Sequence, residues 1–115
     1  MRKIFYLSSC DTCQKIVKQL NNGAGFELQD IKQHPISARQ LDALKDKTGS
    51  YEALFSRRAL KFRSMGLHEK QLDESDYREL ILQEYTFLKR PVIIIGEEVF
   101  VGNAPSVVEA AKAKL

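Results

Sequence analysis

The chain has 115 residues, with 18 Lys and Arg against 15 Asp and Glu and a net charge of +3. That length suits one domain with a core that needs no disulfide staples. The mild, interspersed charge argues against a dedicated nucleic-acid binder, and no apolar run approaches the ~20 residues that cross a bilayer.

Along the chain, Lys3 to Leu7 is short and β-prone and reads as a buried first strand. Cys13, Ile16, Val17 and Leu20 recur at the spacing of one helix face, and Asn21-Asn22-Gly23 ends that helix. Phe26 to Ile31 alternates as a second strand. Ser37 is placed to cap a helix running to about Lys47, and Thr48-Gly49-Ser50 breaks it. The spacing then predicts a helix from Tyr51 to about Phe62 and, beyond Gly66, another from Ser75 to about Leu88. Val92 to Ile95 and Val99 to Val101 flank Gly96-Glu97-Glu98 as a hairpin. Ser106 to Leu115 closes the chain as an amphipathic helix.

The order β-α-β, a helical middle, then β-β-α implies a parallel first pair, an added antiparallel hairpin and helices covering a small mixed sheet. This is the thioredoxin-like α/β plan. We expect a single domain over residues 1–115, with a helical insert at about 37–88.

Both cysteines fall in "YLSSCDTCQKIVKQL". The start MRKIFYLSSC turns polar too soon for the apolar region of a signal peptide, so a cytoplasmic protein is expected. There thiols stay reduced, and a close Cys pair serves chemistry or a metal before it serves as a staple. Structural zinc needs four ligands, and the remaining candidates, His34 and His68, are isolated from each other and from the cysteines. No metal is expected. Two small apolar residues packed at a helix start are the plainer alternative. Placement favours redox chemistry: Cys10 follows the first strand and opens the first helix, where unpaired N–H groups and the helix dipole stabilise a thiolate. Cys10 is then the exposed attacking thiol, and Cys13, on the apolar face one turn later, the shielded resolving thiol. Pro91, directly before the hairpin in "FLKRPVIII", is the other half of a thioredoxin-type site, and a cis Arg90–Pro91 bond is expected.

Across essentially its whole length the sequence resembles the ArsC-like arsenate reductases and their relatives, the Spx-type redox regulators of RNA polymerase. The resemblance rests on Cys10 after the first strand, "SRRALKF" at 56–62 and "LKRPVIII" at 88–95. It implies a nucleophilic Cys10 and an oxyanion held by Arg58 and Arg90. Independently, Tyr51, Leu54, Phe55, Arg58 and Phe62 form one stripe if that segment is helical. Arg58 then faces inward and Arg57 aside; a pairing of the arginine with a local Glu such as Glu52 is the alternative. The chain departs from the glutathione- and glutaredoxin-linked reductases in two places. Tyr6-Leu7-Ser8-Ser9 replaces a His and Asn-Pro before the Cys, and Asn103 and Ala104 stand near the position of a third arginine. Cys13 is common in the regulator branch and absent from that reductase type.

The resemblance thus implies a thiol–disulfide oxidoreductase acting on a small oxyanion or a disulfide. It needs no cofactor beyond an external thiol donor such as glutathione, glutaredoxin or thioredoxin. A monomer without direct nucleic-acid or membrane partners is expected. The alternative is a redox-switched regulator that binds RNA polymerase without turnover.

Overall fold

In the computed structural model, which describes all residues 1–115, strands β1 (Arg2–Tyr6), β2 (Glu27–Asp30), β3 (Val92–Ile95) and β4 (Glu98–Val101) form one sheet in the order β2-β1-β3-β4. β1 and β2 are parallel, with Tyr6 opposite Asp30. β1 and β3 are antiparallel, with Phe5 opposite Val92, and β3 and β4 make the hairpin. The order of elements is the one the sequence implies. Helices are α1 (Asp11–Gln19), α2 (Ala38–Thr48), α3 (Leu60–Ser64), α4 (Glu74–Gln83) and α5 (Pro105–Lys112).

The chain divides into two compact units, Met1–Pro35 with Arg90–Leu115, and Ile36–Lys89. In the first, alternation along the strands points Ile4 and Ile93 to one face of the sheet. There they form a core with Ile16 and Leu20 from the α1 region and Val108 and Ala111 of α5, every one of them at most 5% exposed. No helix is long and apolar enough to cross a membrane.

The second unit holds α2 to α4. Ser37 and Gln40 form a reciprocal capping box at the start of α2, and Gly49 ends that helix at φ 96°. Here two expectations need correction. Residues 51 to 62 are not one helix: a single 3-10 turn at Glu52–Leu54 gives way to extended backbone at Phe55 (φ −90°, ψ 129°), and α3 starts only at Leu60. Likewise α4 stops at Gln83, Glu84 is extended, and Tyr85–Phe87 is a separate 3-10 turn. The cause is a long-range pairing. Phe55 bridges Leu88 antiparallel, Ser56 N–H donates to the Phe87 carbonyl at 2.7 Å, and Lys89 N–H donates to the Leu54 carbonyl at 2.8 Å. The pairing fully buries Leu54, Phe55, Phe87 and Leu88, and Phe55 stacks on Phe87 with ring centroids 5.1 Å apart. Burial of several large side chains outweighs a local helix preference worth only tenths of a kcal/mol per residue, about 0.7 at most.

Candidate active site at the Cys10–Cys13 turn

The sheet brings the sequence-predicted residues of the first unit to one end. β1 runs out toward Cys10 at that end. Its antiparallel partner β3 begins there, immediately after Arg90–Pro91, and its parallel partner β2 finishes there at Asp30. The Arg90–Pro91 bond is cis. Pro91 is buried, and its carbonyl accepts the Gly102 N–H at 2.9 Å, one step beyond the Val92–Val101 pair of the hairpin.

Cys10 is the N-cap of α1, with extended backbone (φ −94°, ψ 116°) and no side-chain capping bond. Its N–H donates to the Leu7 carbonyl and its own carbonyl accepts from Gln14 N–H, both at 3.0 Å. The cap position leaves its sulfur beside the first-turn N–H groups that an α-helix cannot satisfy internally. Cys13 lies one turn on, where the apolar period of the helix faces it to the core, and is 1% exposed. Both are free thiols.

The two thiols are driven apart in acidity. For Cys10 the largest single influence is burial, which opposes the thiolate. The Cys13 backbone and thiol and the Thr12 backbone, with the Arg90 charge, together outweigh it and bring the thiol below its ordinary value. For Cys13 burial wins: its thiol is pushed up to about 11, with the Cys10 hydrogen bond and charge adding to the rise, against smaller opposing effects of the Leu7 backbone and Arg90. Arg90 is half-buried, and its charge favours the thiolate of both cysteines.

Cys10, Cys13, Arg90 and Pro91 thus belong to one unit. Arg58 belongs to the other. It lies in the exposed turn before α3, its N–H donating to Ser56 Oγ at 3.3 Å, and it is not on the inward stripe of a helix, because that helix does not form. The local pairing with Glu52 exists but falls on Arg57, whose Nη2 lies 2.7 Å from Glu52 Oε2 and 2.8 Å from Tyr77 Oη. No group of three His, Cys, Asp or Glu side chains converges as a metal site.

Three residues around Cys10 escape sequence reasoning. Ser8 Oγ donates to Asp30 Oδ2 at 2.5 Å, and the Gln14 side-chain amide donates to the Ser8 carbonyl. The Tyr6–Asp30 register that joins Ser8 to Asp30 is a long-range property; only the polar Ser8-Ser9 approach to Cys10 hints at it.

The model of the ArsC family matches residues 5–111. The uncharacterized protein YusI of Bacillus subtilis (strain 168) is 32% identical over 103 residues, spanning 85% of this chain and 86% of its own. Among solved structures, the YFFB protein superimposes with a TM-score of 0.81 at 26% identity, covering 96% of this chain and 98% of its own. An arsenate reductase (ArsC) related protein from Brucella melitensis gives a TM-score of 0.72 at 28% identity, covering 95% and 92%. With the four-stranded mixed sheet, these likenesses make the fold thioredoxin-like.

Proposed function

The chain belongs to the ArsC family, and we propose that it is a thiol–disulfide oxidoreductase in which Cys10 attacks and Cys13 resolves. The observation that supports this most directly is placement: Cys10 caps α1, which lowers its thiol, while Cys13 one turn on is 1% exposed, and burial pushes its thiol up to about 11. A pair packed only for its bulk needs no such division. In this reading the Cys10 thiolate attacks one sulfur of a disulfide, the S–S bond breaks, and the leaving thiolate takes up a proton. Cys13 then gives up its proton and attacks the Cys10 sulfur. A Cys10–Cys13 disulfide forms, and the second substrate thiol leaves. Two electrons pass from the pair to the substrate, and an external thiol such as glutathione, glutaredoxin or thioredoxin returns them.

An oxyanion substrate enters the same scheme. Cys10 displaces water from arsenate to form a sulfur–arsenic bond, and attack on the Cys10 sulfur by Cys13 or an external thiol releases arsenite. Arg90 then holds the oxyanion and offsets its charge, a role that the resemblance also gives to Arg58. The role of Arg90 is supported by its influence on both sulfurs, that of Arg58 by the SRRALKF resemblance. Pro91 shapes the backbone beside the pair. The protein acts as a cytoplasmic monomer without a resident cofactor.

A second reading has a specific feature in its favour. Cys13 matches the regulator branch of the resemblance, in which oxidation of the pair switches binding to RNA polymerase without turnover. One experiment separates the two: turnover with arsenate and with a small disulfide, each with several thiol donors, beside capture of RNA polymerase by the reduced and oxidised protein. Turnover that disappears in Cys10→Ser supports the oxidoreductase. No turnover with any donor, together with redox-dependent capture, overturns it in favour of the regulator.

A further inference from the structure

Ser8 is gripped from both sides. Its hydroxyl donates to Asp30 Oδ2 at 2.5 Å, its backbone also supports the Asp30 carboxylate, and its carbonyl accepts the Gln14 amide. Asp30 is itself fixed where β2 ends: its Oδ1 accepts Lys32 N–H at 3.1 Å, its carbonyl accepts His34 N–H at 2.8 Å, and the next N–H, of Ile31, donates to the Tyr6 carbonyl at 3.0 Å. Gln14 closes the circuit, because its own N–H donates to the Cys10 carbonyl. The loop between β1 and α1 is therefore tied to β2 on one side and to the first turn of α1 on the other, and Cys10 sits at the end of the tied segment. That matters physically because Cys10 at the cap faces the first-turn backbone of Thr12 and Cys13, which favours the thiolate only while the residue is held there.

We infer that Ser8, Asp30 and Gln14 are positioning residues that hold Cys10 at the cap of α1. This rests on Cys10 being the reacting thiol but goes beyond it, since none of the three need touch substrate. The arrangement makes a prediction of definite sign. Asp30 carries a negative charge, so acting through charge alone it disfavours the thiolate, and its removal lowers the Cys10 pKa. Acting through position, its removal frees the loop, lets Cys10 leave the first-turn backbone and raises the Cys10 pKa. Ser8→Ala changes no charge and isolates the positional effect.

The test is the pH profile of Cys10 alkylation in Cys13→Ser protein, with Asp30→Ala, Ser8→Ala and Ser8→Thr compared with the parent. The expected result is a profile moved to higher pH in Asp30→Ala and Ser8→Ala, with the plateau rate of the thiolate unchanged and the profile restored by Ser8→Thr, which keeps the hydroxyl. If the pKa rises by about 1, labelling at neutral pH slows roughly tenfold. Should Asp30→Ala fail to fold, Ser8→Ala alone decides. Unmoved or lower profiles overturn the positioning role and leave the Cys10 reading intact. A parent profile with an ordinary thiol pKa overturns the Cys10 reading itself.

Discussion

Cys10 caps the helix whose third residue is Cys13, and contact with the backbone and thiol of Cys13 favours the charged form of Cys10. That contact lowers Cys10 and, reciprocally, raises Cys13, in line with burial of the latter. Alkylation at neutral pH is therefore expected to modify Cys10 much faster than Cys13, which should stay unreactive until the solution becomes strongly alkaline. Peptide mapping after brief labelling checks the order. Faster labelling of Cys13 would sink the division of roles.

Cys13→Ser should leave the first attack intact and remove resolution. Incubation with a small disulfide should then accumulate a mixed disulfide on Cys10, visible as a mass increase on the intact protein and reversed by excess thiol. Cys10→Ser should form no adduct. Equal adducts in both variants would mean that the two sulfurs are interchangeable, contrary to their placement at a cap and in a core.

Arg90 bears on both sulfurs in the same direction. Arg90→Ala should therefore raise the pKa of Cys10 and of Cys13 together, whereas a change at the helix cap would act chiefly on Cys10. Separate titrations in Cys13→Ser and Cys10→Ser backgrounds, by thiolate absorbance, read the two shifts. A shift in Cys10 alone would place the Arg90 charge away from the core side of the pair.

How far the sequence alone reaches follows from the range of the forces involved. The Cys10 cap, the Cys13 face and the Ser37 start of α2 were legible, because caps and apolar periods are set by neighbours within a turn or two. The hairpin was legible for the same reason. The segments at 51–62 and 84–88 were not. Their apolar spacing satisfies a helix template equally well, and only the pairing of Phe55 with Leu88, 33 positions apart, breaks them into short turns with extended backbone at those two residues. Arg58 was assigned by the resemblance, and only its inward direction was read through that helix and lost when the helix gave way. Ser8 and Asp30 meet only because β1 and β2 pair in one particular register.

The second unit carries a charge pair with an acid signature. Arg78 Nε and Nη2 donate to the two Asp42 oxygens at 2.8 and 3.2 Å, and Tyr51 Oη donates to the same carboxylate at 2.5 Å. The Arg78 hydrogen bond, then the Tyr51 one, lowers Asp42 from 3.8 to about 2. A folded pKa below the unfolded value gives stability that is present above about pH 4 and is lost as the pH falls through about 2. Asp42→Asn should therefore melt below the parent near neutral pH, with the gap closing on acidification across that window. A gap independent of pH would mean that shape, not charge, makes the contribution.

Arg57 and Arg58 are adjacent, yet their surroundings assign them different work. Arg57 is committed to Glu52 and Tyr77, with its guanidinium carbon 5.6 Å from the Tyr77 ring centroid. It ties the 3-10 turn at Glu52–Leu54 to α4. Its side chain is about half exposed, so the ion pair contributes only ~0–1 kcal/mol. Arg57→Ala should lower stability slightly and leave anion binding unchanged. Arg58, exposed in the turn before α3, is the residue that the SRRALKF resemblance assigns to the oxyanion. Arg58→Ala should leave the melting temperature within error and weaken sulfate or arsenate binding; losing one charge-assisted contact of ~1.5–3 kcal/mol corresponds to roughly tenfold or more. Anion protection of Cys10 against alkylation measures that affinity in each variant. If Arg57→Ala weakens protection and Arg58→Ala does not, the assignment of the two arginines is reversed; if neither does, the oxyanion site lacks a contribution from this segment.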